Sequence, residues 1–112
     1  MSPKLHRVLR YFLALGTLGY GVVSLARPQR FAELTNMEEG AVRSMAMRDI
    51  GSGLALLTSA NPAPALVSRA LFDFADGTKL MRTRPALAPL AFAWGALAIV
   101  VMLTRPPATI EA

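Results

Sequence analysis

Length, composition and charge already limit what this chain can be. It has 112 residues, enough for one domain; 54% are hydrophobic and only 17% are charged, against about 25% charged residues in soluble proteins. The mean hydropathy is +0.42. These values exclude a disordered chain, a fibre and most soluble nucleic-acid-binding proteins. The absence of cysteine excludes disulfide and thiolate metal sites, and a single histidine, His6, leaves little for a zinc or haem site.

Four apolar segments with prolines at their boundaries predict four membrane-spanning helices. A spanning helix needs about 20 mostly apolar residues, and proline disfavours helix in the residue before it. The first segment ends at Arg27-Pro28, the fourth ends at Arg105-Pro106-Pro107, and Pro89 falls in the first turn of the fourth. The sequence thus predicts an all-α, membrane-embedded antiparallel four-helix bundle, a single integral membrane domain over residues 1–112. Its helices are expected at about residues 8–26, 36–60, 65–82 and 86–104.

The first segment also has the features of a secretory signal peptide. Lys4, Arg7 and Arg10 would be its basic region and Tyr11 to Val23 its apolar region, and Ser24-Leu25-Ala26 has the small-x-small form of a cleavage site. This alternative stays open, although the rest of the chain would still be a membrane protein. If the segment is retained, close helix packing is expected from its glycines. These are Gly16, Gly19 and Gly21.

The longest connection, residues 27–40, precedes the second predicted helix. Within it, Thr35-Asn36-Met37-Glu38 has the form of a capping box, in which the first residue caps the helix and the last bonds back to it. The second helix is therefore expected to start near Asn36. Phe31 and Leu34, three residues apart, indicate that the preceding stretch lies along the membrane surface, although an ordinary polar loop fits equally well.

Basic residues flank the apolar segments, so the net charge of +5 points to anionic lipid headgroups and not to nucleic acid. The lipid bilayer is therefore an expected partner, and no nucleic acid is expected. Four spans place both termini on one side of the membrane. The charges on the two sides are nearly balanced, and the basic flank of the first helix favours cytoplasmic termini in a multi-pass protein of the cytoplasmic membrane.

Five charged residues lie inside the second and third predicted helices, where each costs about 2.5–3.5 kcal/mol at a helix centre. They are Arg48, Asp49, Arg69, Asp73 and Asp76. At about 1.5 Å per residue, Arg48 lies roughly 10 Å past Ala41, where the apolar run of its helix begins, and Asp76 and Asp73 lie roughly 9 and 13 Å before Arg82, where theirs ends. Because the two helices run antiparallel, these three residues are expected at similar depth.

The helical faces also favour contact between these charges. Arg48 shares a face with small residues such as Ser52, which let helices approach and leave room for a long side chain. We expect Arg48 to reach Asp73, Asp76 or both, since its planar guanidinium can hold a carboxylate with two bonds. Arg69 and Asp73, four residues apart, are expected to pair within one helix.

The cluster has more than one functional interpretation. In the first, it fixes the helix register, and the protein is a non-enzymatic accessory or scaffold subunit that forms a homo-oligomer or joins a larger membrane complex. In the alternative, the cluster binds a small molecule, a quinone headgroup, an ion or a proton, in a site open toward the first and third connections. A third, an oxidoreductase subunit, would need a bound quinone or a redox partner.

Three further residues are candidates for lining a pocket next to the cluster: Tyr20, Ser52 and Trp94. No metal and no cofactor is predicted. A Ser/His/Asp triad is not expected, because His6 precedes the first predicted span and is placed at the level of the lipid headgroups.

A short motif, Arg48-Asp49-Ile50-Gly51-Ser52-Gly53-Leu54, follows a proline-ended first helix and precedes Asp73 and Asp76-Gly77. This pattern resembles the small DoxX-like four-helix membrane proteins of bacteria, and among them an uncharacterised group. The resemblance spans most of the chain and implies an up-down four-helix bundle in the cytoplasmic membrane. Some DoxX-like proteins are linked to quinone-coupled or redox-associated membrane complexes, but no individual residue carries that role to this chain. The lack of cysteine excludes direct thiol chemistry.

Overall fold

The chain is helical in the part that the structure describes, which confirms the all-α prediction. A computed structural model describes residues 3–105, which hold helices and turns and no strand. The elements are α1 (Pro3–Ala26), α2 (Pro28–Thr35), α3 (Glu39–Thr58), α4 (Ala63–Thr83), a 3-10 turn (Pro85–Leu87) and α5 (Ala88–Leu103). Pro89 lies in the first turn of α5, as predicted. The Pro106-Pro107 pair and the extreme ends of the predicted domain lie outside the described residues.

The first helix begins earlier than predicted, at Pro3 instead of residue 8. His6, which the sequence places before the first predicted span, therefore lies within the helix. His6 is buried within α1, and its Nδ1 lies 3.0 Å from the Val101 carbonyl oxygen and 3.3 Å from the Thr104 hydroxyl.

The predicted capping box is also wrong, because residues 28–35 form a helix of their own. Pro28 opens α2, and Asn36 closes it in a left-handed conformation with φ 56°, which asparagine tolerates better than most residues. The Thr35 hydroxyl donates back to the Phe31 carbonyl oxygen at 2.6 Å. As a result, α3 begins only at Glu39, and the interpretation of this stretch as a polar loop is excluded.

The helices α1 and α3 form a closely packed pair, because glycine removes the side chain at two contact points. A Cβ at Gly21 would lie 2.9 Å from the Ala46 carbonyl oxygen, and one at Gly53 would lie 2.8 Å from the Leu18 backbone nitrogen. Only glycine allows backbones this close. Gly19, which the sequence also suggested for this role, faces open space.

The helices α4 and α5 form the second pair, in which aromatic rings pack against glycines. The Phe92 ring lies over Gly77, where a Cβ would meet it at 2.7 Å, and the Phe74 ring lies over Gly95, where a Cβ would meet it at 3.0 Å. The two ring centroids are 6.2 Å apart. The residue order of these contacts shows that α4 and α5 run antiparallel.

The two helix pairs are joined by an apolar core at one end of the molecule and separate toward the other end. The core contains Leu13, Leu56, Leu66, Ala98 and Val101, all 1% exposed or less. Over their whole lengths, α3 and α4 make few contacts with each other, and so do α1 and α5. The space left between the pairs lies on the side of α2 and the 3-10 turn.

Two segments are long and apolar enough to span a membrane, Pro3–Ala26 and Pro85–Leu103. Only 28% and 22% of the residues in their most apolar stretches are buried within the protein. The helices α3 and α4 are long enough but too polar to join them, because they carry the five charged residues singled out from the sequence and further charged residues such as Arg43 and Lys79. The four-span arrangement therefore stays a prediction.

Candidate functional site

The five charged residues predicted as a cluster come together between α3 and α4, and we call them the charge network: Arg48, Asp49, Arg69, Asp73 and Asp76. Arg48 of α3 donates from Nη1 to Asp76 Oδ1 at 3.1 Å and from Nη2 to Asp76 Oδ2 at 2.5 Å. Of the two predicted partners, it thus takes Asp76 and not Asp73. Two parallel bonds of this kind are the strongest geometry that a guanidinium forms with a carboxylate.

Arg69 is the second cation of the network, and it pairs with Asp73 one helical turn away on α4, as the spacing predicts. Its Nε donates to Asp73 Oδ2 at 3.0 Å, and its Nη2 donates to Oδ1 at 2.8 Å. The Arg69 side chain is only 1% exposed. A cation buried this deeply is tolerated only when it is paired and hydrogen-bonded.

Asp49 connects the two ion pairs, a role that the sequence did not reveal. Its Oδ1 accepts from Arg48 Nη2 at 3.1 Å and from Arg69 Nη1 at 2.9 Å. The network therefore alternates in charge along the path Asp76, Arg48, Asp49, Arg69, Asp73. It holds three carboxylates and two guanidiniums, so its formal charge is −1.

Phe72 contacts both cations of the charge network, and sequence reasoning missed it. The Cζ atoms of Arg48 and Arg69 lie 4.7 and 5.7 Å from the centroid of its ring. Both distances allow a cation–π contact. The available signal was the spacing, since Phe72 follows Arg69 by three residues on the same helix.

A cavity of about 360 Å³ lies beside the charge network, in the space between the helix pairs. Its size falls within the range of about 300–1,000 Å³ that is typical of small-molecule sites. Most of the lining is apolar, with acidic groups gathered on one wall. The lining residues are Gly16, Thr17, Tyr20, Leu34, Thr35, Met37, Met45, Asp49, Arg69, Asp73, Asp76, Leu80, Leu87, Leu90, Ala91 and Trp94.

Of the three residues suggested as pocket lining, Tyr20 and Trp94 line this cavity and Ser52 does not. The Trp94 Nε1–H donates to the Thr17 hydroxyl at 2.9 Å, and the Tyr20 ring packs edge-on against Phe31. From α3, only Met45 and Asp49 line the cavity, and Ser52 lies one turn beyond them. Its hydroxyl is buried without a hydrogen-bond partner among residues 3–105.

The end of α2 closes one side of the cavity and is tied to the end of α4. Arg84 donates from Nε to the Leu34 carbonyl oxygen and from Nη2 to that of Glu33, both at 3.1 Å. The Asn36 amide donates to the Thr83 carbonyl oxygen at 3.2 Å. The sequence did not predict this wall, although the apolar spacing of α2 was the signal for a surface-lying segment.

Within the part of the chain that the structure describes, no group of three or more His, Asp or Glu side chains is placed to hold a metal ion. Comparison of the chain with models of protein families, with curated proteins and with solved structures found no match. The similarity to DoxX-like proteins thus stays a prediction that rests on the motif at residues 48–54 and the aspartates of α4.

Proposed function

We propose that this chain is a multi-pass integral membrane protein with α1, α3, α4 and α5 in the bilayer, and that it binds a small, mostly apolar molecule between its helix pairs. The observation that carries the proposal is the cavity of about 360 Å³, which joins apolar walls to the acidic groups of the charge network. A largely apolar pocket with a few convergent polar groups is the usual form of a small-molecule site.

The distribution of apolar side chains supports a bilayer location. Large apolar residues point outward on the long helices, including Phe12 at 58%, Leu71 at 63% and Leu103 at 77% exposure. Charged residues such as Arg69 and Asp49 are instead buried inside. Soluble proteins seldom expose apolar surface on this scale, whereas membrane proteins keep ionisable groups toward the bundle interior.

The contacts of α1 favour its retention over cleavage as a signal peptide. Besides Gly21 against α3, Arg10 donates to the carbonyl oxygens of Leu56 and Ser59 at the end of α3. The Thr17 hydroxyl accepts the Trp94 N–H of α5. Loss of α1 would leave these groups without their partners and would remove one wall of the cavity.

The accessory or scaffold role is the second candidate function, and it is supported by the position of the charge network. Arg48 and Asp49 of α3 bond to Asp76 and Arg69 of α4 where the two helices otherwise contact little. A network that holds the helix pairs in register would serve a subunit of a larger complex as well as a binding protein. Purification in mild detergent would then recover a partner protein in fixed proportion or a homo-oligomer.

The binding role is tested by filling the cavity from α5. Ala91 lines the cavity and Ala93 is exposed on the same helix. The substitution Ala91→Phe therefore adds a phenyl ring inside the cavity, and Ala93→Phe adds the same ring on the outer surface of the protein. After purification from native membranes in mild detergent, mass spectrometry is expected to find a small molecule with the parent and with A93F, and not with A91F. Equal unfolding temperatures of the two variants show that the fold is kept. Recovery of the same molecules from all three proteins would contradict the proposal.

A further inference from the structure

We infer that the cavity takes a cationic amphiphile, a molecule with one positively charged head and an apolar body. The inference rests on the proposed binding function and adds the charge and shape of the ligand. It comes from three features of the site: its charge balance, the one acceptor atom left over in the network, and the apolar remainder of the wall.

The charge balance around the cavity is negative. Asp49, Asp73 and Asp76 line it, and Arg69 is the single basic residue among the lining residues. Arg48 adds a second cation from outside the wall, so three carboxylates face two guanidiniums and one negative charge is left. An uncompensated charge in a site of low polarity is unfavourable. A ligand that carries one positive charge would neutralise it, and an anionic ligand would be repelled.

The leftover acceptor is Oδ2 of Asp49. Both oxygens of Asp73 and both oxygens of Asp76 accept from a guanidinium. Asp49 uses Oδ1 for both of its arginine contacts, and its Oδ2 accepts no hydrogen bond from residues 3–105. The Asp49 side chain is only 8% exposed, yet it lines the cavity. A cationic N–H donor placed there would give Asp49 Oδ2 the hydrogen bond that it lacks.

The remaining wall suits an apolar body attached to that head. Met37, Met45, Leu87 and Leu90 contribute apolar side chains toward the end of the cavity where α2 and the 3-10 turn lie. Methionine adapts readily to an irregular ligand surface. Trp94 also lines the cavity and is the single tryptophan of the chain, so its fluorescence reports on whatever occupies this space.

The test compares three probes of equal chain length with different heads: ω-bromodecylammonium, ω-bromodecanol and ω-bromodecanoate. Bromine quenches tryptophan fluorescence on contact. The purified full-length chain, in uncharged detergent micelles, is titrated with each probe. We expect half-maximal quenching of Trp94 at a concentration about tenfold lower for the ammonium than for the alcohol, with the carboxylate weakest. The A91F variant measures quenching that does not depend on the cavity.

Matched variants then locate the charge. Asp49→Asn and Asp73→Asn each remove the excess negative charge with little change in shape, so either is expected to reduce the preference for the ammonium to less than about threefold. Glu39→Gln removes an exposed carboxylate that pairs with Arg43 outside the cavity, and it is expected to keep the full preference. Two variants are used because either one is enough for the test if the other does not fold.

The outcomes separate this inference from the proposed function. Equal quenching by ammonium and alcohol in the parent, with loss of both in A91F, would overturn the cationic ligand and leave the binding cavity standing. A preference for the ammonium over the alcohol that survives in both D49N and D73N would also overturn the inference of a cationic ligand. Quenching that is the same in the parent and A91F for all three probes would overturn the binding cavity itself.

Discussion

Arg69 is the residue on which the charge network depends most. It donates to two of the three carboxylates, and its side chain is 1% exposed. Arg43 offers a contrast on the neighbouring helix, since its pair with Glu39 is exposed on both sides. Removing a buried partner leaves its counter-charges without compensation, whereas an exposed pair exchanges its contact for water.

The substitution Arg69→Ala is therefore expected to lower the free energy of unfolding by about 3–5 kcal/mol, because it leaves Asp73 without its arginine and Asp49 with Arg48 alone. Arg43→Ala is expected to lower it by less than about 0.5 kcal/mol. Thermal unfolding in one detergent, followed by circular dichroism, measures both. Equal midpoints for R69A and R43A would show that the network adds no stability.

At this scale the sequence predicted the residues of the network better than their bonds. Depth along antiparallel helices predicted that Arg48 meets Asp73, Asp76 or both, and the four-residue spacing predicted the pair of Arg69 with Asp73. The central position of Asp49 was not predictable, since it follows from the rotation of α3 that its packing on α1 imposes. No pattern along the chain records that rotation.

The elements are paired by glycines, and Gly53 of α3 is the tightest point of the contact with α1. A Cβ there would lie 2.8 Å from the Leu18 backbone nitrogen and 2.9 Å from its Cα. Backbone atoms cannot move aside as the end of a flexible side chain can. Gly51, two residues earlier on the same helix, has open space around it.

We expect Gly53→Ala to lower the free energy of unfolding by about 1–3 kcal/mol, since the two helices must move apart. Gly51→Ala is expected to leave it unchanged or to raise it by up to about 1 kcal/mol, because alanine favours helix over glycine. Chemical unfolding of both variants in the same detergent gives the comparison. The α1–α3 contact would be misassigned if G53A were as stable as G51A.

The elements themselves were largely predictable, and their partners were not. The prolines at the ends of the apolar segments predicted the bounds of the four long helices to within a few residues, and the largest error is at the start of α1. The helix α2 was not predicted, because Thr35 and Asn36 fit the start of α3 as well as the end of an earlier helix. The choice of α1 as the main neighbour of α3 depends on Gly21 and Gly53, whose contacts no periodicity identifies.

For the whole molecule, four membrane-embedded helices would place the connection at residues 59–62 on the side of the N-terminus, and α2 on the opposite side. The chain has no cysteine, so single cysteines can report this arrangement without further changes. Gln29 of α2 and Ala60 of the connection are both exposed. They therefore make a matched pair of labelling positions.

We expect a membrane-impermeant maleimide to label Gln29→Cys from outside intact cells, and to label Ala60→Cys only in inverted vesicles. This result follows from alternating helices with cytoplasmic termini. Labelling of the two positions with the sides exchanged would reverse the orientation and keep the four spans. Labelling of both from the same side would contradict four spans.

If α3 and α4 do lie in lipid, the charge network sets the order in which the chain enters it. Emerging alone, α3 would carry Arg48 and Asp49 without their partners on α4, and α4 would carry Asp76 without Arg48. Because only residues 59–62 separate these helices, the translocon would release them together as a hairpin, already neutralised in part. A photo-crosslinker placed in α3 should accordingly contact the translocon while α4 has not yet emerged from the ribosome, and lipid once the chain is long enough for α4 to emerge.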